Sequence, residues 1–109
     1  MSIIQSPDAN VLARRIRQAR EAIGLPQDKL GVLIGLDEGC ASARISRYES
    51  GKHQPPLKTA QLLATKLGVP TAYLFCEDDL LAEAILKLSQ LSKSKLAQQI
   101  KIIDQLLEK

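Results

Sequence analysis

Residues 27–56, QDKLGVLIGLDEGCASARISRYESGKHQPP, carry the pattern on which the fold turns. Leu30, Leu33 and Ile34 recur at helical spacing before a stop at Gly35. A second run, Ala41 to Glu49, holds Ile45 and Tyr48 three apart on one side and ends at Ser50-Gly51. Proline cannot sit inside a helix and bars the helical region to the residue before it, so His53-Gln54-Pro55-Pro56 is loop. The stretch is two short helices joined by a turn, with basic residues just beyond. That layout suits a reader of DNA.

Outward from this stretch the helices continue in both directions. Ser6-Pro7-Asp8 is a helix start, with a capping hydroxyl, a proline that has no amide to leave unpaired and an acid facing the helix dipole. Leu12, Ile16, Ala19 and Ile23 then share a face while Arg14, Arg17 and Glu21 point elsewhere, predicting a helix over 7–23 that stops at Gly24. Pro26-Gln27-Asp28 opens the second helix, and Leu36 enters the core from the turn after it. Ala60, Leu63, Ala64 and Leu67 predict a fourth helix over 57–67, and a short fifth follows from Pro70 to Phe75. Glu77-Asp78-Asp79 marks both an acidic helix start and a change of composition. Beyond it Leu81, Ile85, Leu88 and Leu91 form one apolar stripe, Ser92 to Ser94 interrupt, and Leu96, Ile100, Ile103 and Leu107 form another over 95–107. No strand signal or internal repeat is present. The expected fold is all-α: a five-helix domain over residues 1–76 and a C-terminal helical hairpin over 77–109.

Composition narrows the function. A chain of 109 residues is one ordinary domain, or a very small domain plus an appendage, and with 3% aromatics its core must be built from Leu, Ile, Val and Ala. The net charge of +3 is unevenly placed, every arginine preceding Tyr48, and clustered arginine suits phosphate and base-edge contacts. Cys40 and Cys76 are too few and too distant for a paired-cysteine metal site, and the lone His53 has no ligand cluster around it. Nothing resembles a secretory signal, and no apolar run is long enough for a bilayer, which points to a reducing cytoplasm. No constellation of catalytic residues is present, and no cofactor, metal or small-molecule effector is implied.

In combination and in order, Arg20, Gln27, Leu30, Gly35, Ile45-Ser46, Tyr48-Glu49, Ser50-Gly51-Lys52, Pro55 and Leu67-Gly68-Val69 resemble the phage-repressor-like, Cro-type helix-turn-helix domains of the XRE family. The resemblance covers roughly Leu12 to Leu74. It implies a lambda-repressor-like fold in which the second helix lies across the DNA backbone and the third enters the major groove. Gln27, at a helix start, would bind a phosphate, and Lys52 and His53, with Gln54, would reach another. By register from Ile45, the residues offered to bases are Ser42, Ala43, Ser46 and Arg47, with Arg44 at the margin and reaching phosphate. Arg47 is the leading base reader, because a guanidinium pairs in bidentate fashion with a guanine edge, worth about 1–3 kcal/mol of discrimination. The resemblance also implies a structural ion pair between Arg20 and Glu49.

Two departures stand out. The interval from Gly35 to Ile45 is about four residues longer than the compact turn of such motifs, or about one helical turn. Either Asp37 caps a third helix that begins one turn early, or Asp37-Glu38-Gly39-Cys40 forms an extended turn. The extended turn is the preferred expectation, because Gly39 inside a helix costs roughly 1 kcal/mol relative to alanine. In either case the two acids should cap the helix or face away from phosphate. The second departure is Gly31, where alanine is commoner, a sign of tight helix packing.

Residues from Glu77 onward lie outside the resemblance and hold more apolar surface than a small bundle needs. They would either join two copies, placing two recognition helices about one DNA turn apart, or fold back on their own domain. The expectation is a sequence-specific transcriptional regulator of bacterial or prophage type, acting on double-stranded DNA as a homodimer. The alternative is an antitoxin-like module whose C-terminal helices bind a partner protein.

Overall fold

The computed structural model describes residues 10–108. Among these residues seven helices follow one another: α1 Val11–Ala22, α2 Gln27–Leu33, α3 Glu38–Ser50, α4 Leu57–Leu67, α5 Thr71–Phe75, α6 Asp79–Ser89 and α7 Lys93–Leu107. No strand occurs among the described residues, and none of their helices is long and apolar enough to cross a membrane. The helix start expected at Ser6-Pro7-Asp8 lies outside the described residues; among those, α1 runs from Val11.

One apolar core joins the first six helices. Leu12, Ile16 and Ala19 of α1 meet Leu30 of α2, Ile45 and Tyr48 of α3, four residues of α4, Tyr73 and Leu74 of α5, and Ala82 of α6. Ile16, Leu30, Ile45, Leu63 and Leu74 are the largest side chains fully closed off from water, each worth about 1.5–3 kcal/mol of burial. Ile23 and Leu33, expected to point inward, are instead exposed. The cause is helix length: α1 ends at Ala22 and leaves Ile23 in the cap, while the inward side of the short α2 is filled by Leu30 and Gly31.

The preferred extended turn is overturned. Asp37 occupies the N-cap, α3 begins at Glu38, and the connection shrinks to Ile34–Asp37. The extra residues are helix. The turn closes through Leu36 N–H to the Gly31 carbonyl and Gly35 N–H to the Val32 carbonyl, both 2.9 Å. On the far side, Cys40 N–H bonds the Asp37 carbonyl at 3.0 Å. The early start carries Ala41 onto Gly31, and this buried contact offsets the propensity cost of an exposed Gly39. No other helix pair in the domain packs as extensively as α2 and α3.

Arg15 fixes the route from the domain into the arm. Its side chain is only 3% exposed. Nε donates to the Cys76 carbonyl (2.9 Å), Nη1 to Gln18 Oε1 (2.9 Å), and Nη2 to both the Glu77 carbonyl (3.3 Å) and Asp79 Oδ1 (2.9 Å). Its guanidinium also lies over the Tyr73 ring, 5.5 Å from the centroid. Arg14 Nη1 shares Asp79 Oδ1 at 2.8 Å. Arg14 first, and Arg15 after it, hold the Asp79 carboxyl below its ordinary range. Arg15 therefore belongs to the interior and not to a basic outer face.

The α6 stripe is rotated from the expected one: Ala82 is buried and Ile85 and Leu86 pack on the core, while Leu80 and Leu81 face outward. Asp78 caps α6 by accepting from Leu81 N–H, and Ser92 caps α7 by accepting from Lys95 N–H. The α7 helix has no buried residue. Ile100, Ile102, Ile103, Leu106 and Leu107 are all exposed on it.

The contact between α2 and α3 leaves no room for one more carbon. A Cβ on Gly31 would stand 2.5 Å from the Ala41 Cβ, 2.8 Å from its Cα and 2.9 Å from its carbonyl oxygen. Gly31→Ala should therefore cost about 1–3 kcal/mol in urea unfolding. Adding Ala41→Gly should restore little of it, since two of the three obstructing atoms are backbone; full restoration would refute this packing.

Candidate nucleic-acid interface

The α3 helix has two distinct sides. Ala41, Ile45 and Tyr48, at spacings of four and three, enter the core. Opposite them Ser42, Ala43, Ser46 and Arg47 are exposed, the first two lying one turn before the second two. Arg44, at the edge of this face, is also exposed. Gly51, at φ +79°, ends the helix in the left-handed conformation that favours glycine, and its N–H bonds the Tyr48 carbonyl. The chain then turns back, with His53 N–H on the Arg47 carbonyl and Pro55 buried, and this leaves Lys52, His53 and Gln54 exposed just past the helix.

Behind the face sits a three-helix polar junction. Arg20 of α1 donates Nε to Glu49 Oε2 at 2.5 Å and Nη2 to Glu49 Oε1 at 3.0 Å, a two-pronged pair. Its Nη1 reaches the Leu25 carbonyl at 2.9 Å. Gln27, the first residue of α2, donates Nε2 to the same Glu49 Oε1 at 3.0 Å. The Glu49 side chain is 5% exposed and that of Arg20 13%. The hydrogen bond and charge of Glu49 raise the Arg20 pKa above its already high ordinary value. Gln27 thus meets the Arg20–Glu49 pair, with its side-chain amide already engaged there as well as lying at the surface expected to meet phosphate.

Around this junction runs an open cleft lined by Arg17, Arg20, Gln27, Ser46, Glu49 and Ser50. The structure brings Gln27 and Ser46 together across it, while Lys52 and His53 lie in the loop after α3. Arg17 was not singled out from the sequence, where it is one of four arginines in α1. Its neighbours in the chain give no hint that it lines one cleft with Ser46. Glu38 lies elsewhere, lining a shallow depression with Lys29, Val32 and Leu33 of α2. Among the described residues no group of His, Cys, Asp or Glu could hold a metal ion.

Comparison with known proteins agrees with this fold. A family profile described as helix-turn-helix matches residues 16–74, more than half of the chain. The crystal structure of transcriptional regulator BswR is similar at a TM-score of 0.84 and 44% sequence identity, over 87% of this chain and 94% of that one. That share is too large to leave out the last two helices. No curated protein matches the chain in sequence.

Because Glu49 is almost fully enclosed, Arg20→Ala should cost about 3–5 kcal/mol in chemical denaturation, leaving a carboxylate with Gln27 alone. Arg20→Met combined with Glu49→Leu should cost less than Arg20→Ala by itself. The reverse order would mean that the pair is not what stabilises the junction.

Proposed function

As the chain belongs to the Cro-type, XRE family of helix-turn-helix proteins and has a lambda-repressor-like fold, we propose that it is a sequence-specific DNA-binding transcriptional regulator. It acts as a repressor of bacterial or prophage type, in the cytoplasm, on a palindromic operator. The observation that carries this reading is the exposed α3 face of Ser42, Ala43, Ser46 and Arg47, set directly opposite a fully packed one. Arg47 reads a guanine edge, Ser42 and Ala43 allow close approach and contact with a thymine methyl, and Ser46 hydrogen-bonds a base. Arg44, Lys52 and His53 bind phosphate, as does Gln27 with the amide capacity that Glu49 leaves it.

Residues 77–109 serve as the dimerisation element of this reading. Supporting it are the exposed Ile100, Ile103 and Leu107 at spacings of three and four, which a solitary helix would leave in water. The same helix carries Lys93, Lys95 and Lys101 alongside Asp104, with Glu108 at its C-cap, so a second copy brings complementary charge to it. Two copies related by a two-fold axis present their α3 helices to successive major grooves.

Selection from a random duplex pool should enrich one motif, and Arg47→Ala should relax preference at one position of each half-site by about 1–3 kcal/mol. An unchanged motif would remove Arg47 from the base-reading set; no motif at all would end the specific-reader assignment. In sedimentation equilibrium the chain should be a dimer, and Ile103→Asp should make it monomeric and weaken binding to the palindrome. A monomeric wild type would favour the alternative, an arm that binds a different protein.

A further inference from the structure

A cation stands at the flank of the proposed reading face with a weak intramolecular partner. Arg17 leaves the outer side of α1 with its side chain 63% exposed. It lines the cleft that holds Gln27, Ser46 and Ser50, and also the adjoining one that holds Arg14, Glu21 and Ser50. The other arginine of the first cleft, Arg20, is committed to Glu49 and the Leu25 carbonyl. Arg17 instead meets Glu21, one turn on, through Nε alone at 3.3 Å. Both of its Nη groups lie beyond that contact. An exposed pair of this kind contributes at most about 1 kcal/mol.

Ser46 belongs to the face offered to bases, and Ser50 lies one turn further along α3. With α3 in a major groove, the strand running past the Ser46–Ser50 edge is sugar-phosphate backbone. Arg17 looks onto that edge from α1. A guanidinium fork fits a phosphate in two-pronged fashion, whereas its present link to Glu21 uses a single nitrogen. We propose that Arg17 exchanges Glu21 for a backbone phosphate at the flank of the half-site, Glu21 being the internal anion that competes for it. Ser50, whose hydroxyl donates to the Arg47 carbonyl, and Gln27, whose amide donates to Glu49, line the same cleft. This assignment rests on the DNA-binding reading above and concerns affinity, not base choice.

The test is fluorescence anisotropy on the full chain with two labelled duplexes, the operator selected by the wild type and a scrambled one, across a range of salt. Arg17→Ala should weaken both duplexes several-fold and alike, with the selected motif unchanged. It should also reduce the slope of log K against log salt by about one. Glu21→Gln should tighten binding, and that gain should vanish when Arg17→Ala is also present. Thermal midpoints of the variants should stay close to the wild type, since neither side chain is buried.

Arg17→Ala binding with wild-type affinity and slope would overturn the proposal. So would a Glu21→Gln gain that persists without Arg17, which would make Glu21 merely a charge that repels DNA. A wild type that binds neither duplex would overturn this proposal and the DNA-binding reading together. A wild type that binds normally with Arg17 indifferent would overturn this proposal alone.

Discussion

A nearly enclosed carboxylate governs the arrangement of the first three helices. Glu49 lies in the last turn of α3 and has to be neutralised where it stands, because an unpaired charge there costs several kcal/mol. The groups that satisfy it come from different parts of the chain: Arg20 near the end of α1 supplies the opposite charge and Gln27 at the start of α2 a hydrogen bond. Arg20 also binds the Leu25 carbonyl in the link between them. Satisfying one side chain thus sets the rotation of α3 about its own axis. That rotation turns Ile45 and Tyr48 inward and Ser42, Ala43, Ser46 and Arg47 outward, so the chemistry of the exposed face follows from a contact that never touches it.

Much of this was legible in the residue order. Pro26, Pro56 and Pro70 stand at helix starts, Gly51 and Gly68 at helix ends, and α4 lies where the periodicity of Ala60, Leu63, Ala64 and Leu67 puts it. The partition of α3 into an inner and an outer side also follows from Ile45 and Tyr48. Its beginning did not. Asp37 to Cys40 has no apolar periodicity, and glycine argues against helix, so the decision fell to Ala41 meeting Gly31 across the motif. Local preference was outweighed by a contact between residues ten apart.

The arginines show a different limit. Six occur in the first half of the chain and look alike as a charge cluster, yet they do three unlike things. Arg15 is interior and shares Asp79 with Arg14, Arg20 neutralises Glu49, and Arg17, Arg44 and Arg47 are exposed. Periodicity places Arg15 next to the buried side of α1, but only the arrival of Cys76 and Glu77 makes its burial affordable. The number of arginines therefore overstates the cations offered at the surface, and the exposed face depends on fewer of them than composition suggests.

The grip of Arg15 on the arm has one more implication. Two of its four acceptors are the main-chain carbonyls of Cys76 and Glu77, atoms that every residue type supplies. The joint recognises the path of the linker and is largely indifferent to its spelling. Substitutions at the exposed Glu77 can accumulate without altering the direction in which α6 departs, whereas Cys76 also packs against the core, and the geometry passes from one variant to the next through a single side chain on α1. Architecture at this point is inherited separately from the letters of the segment that displays it.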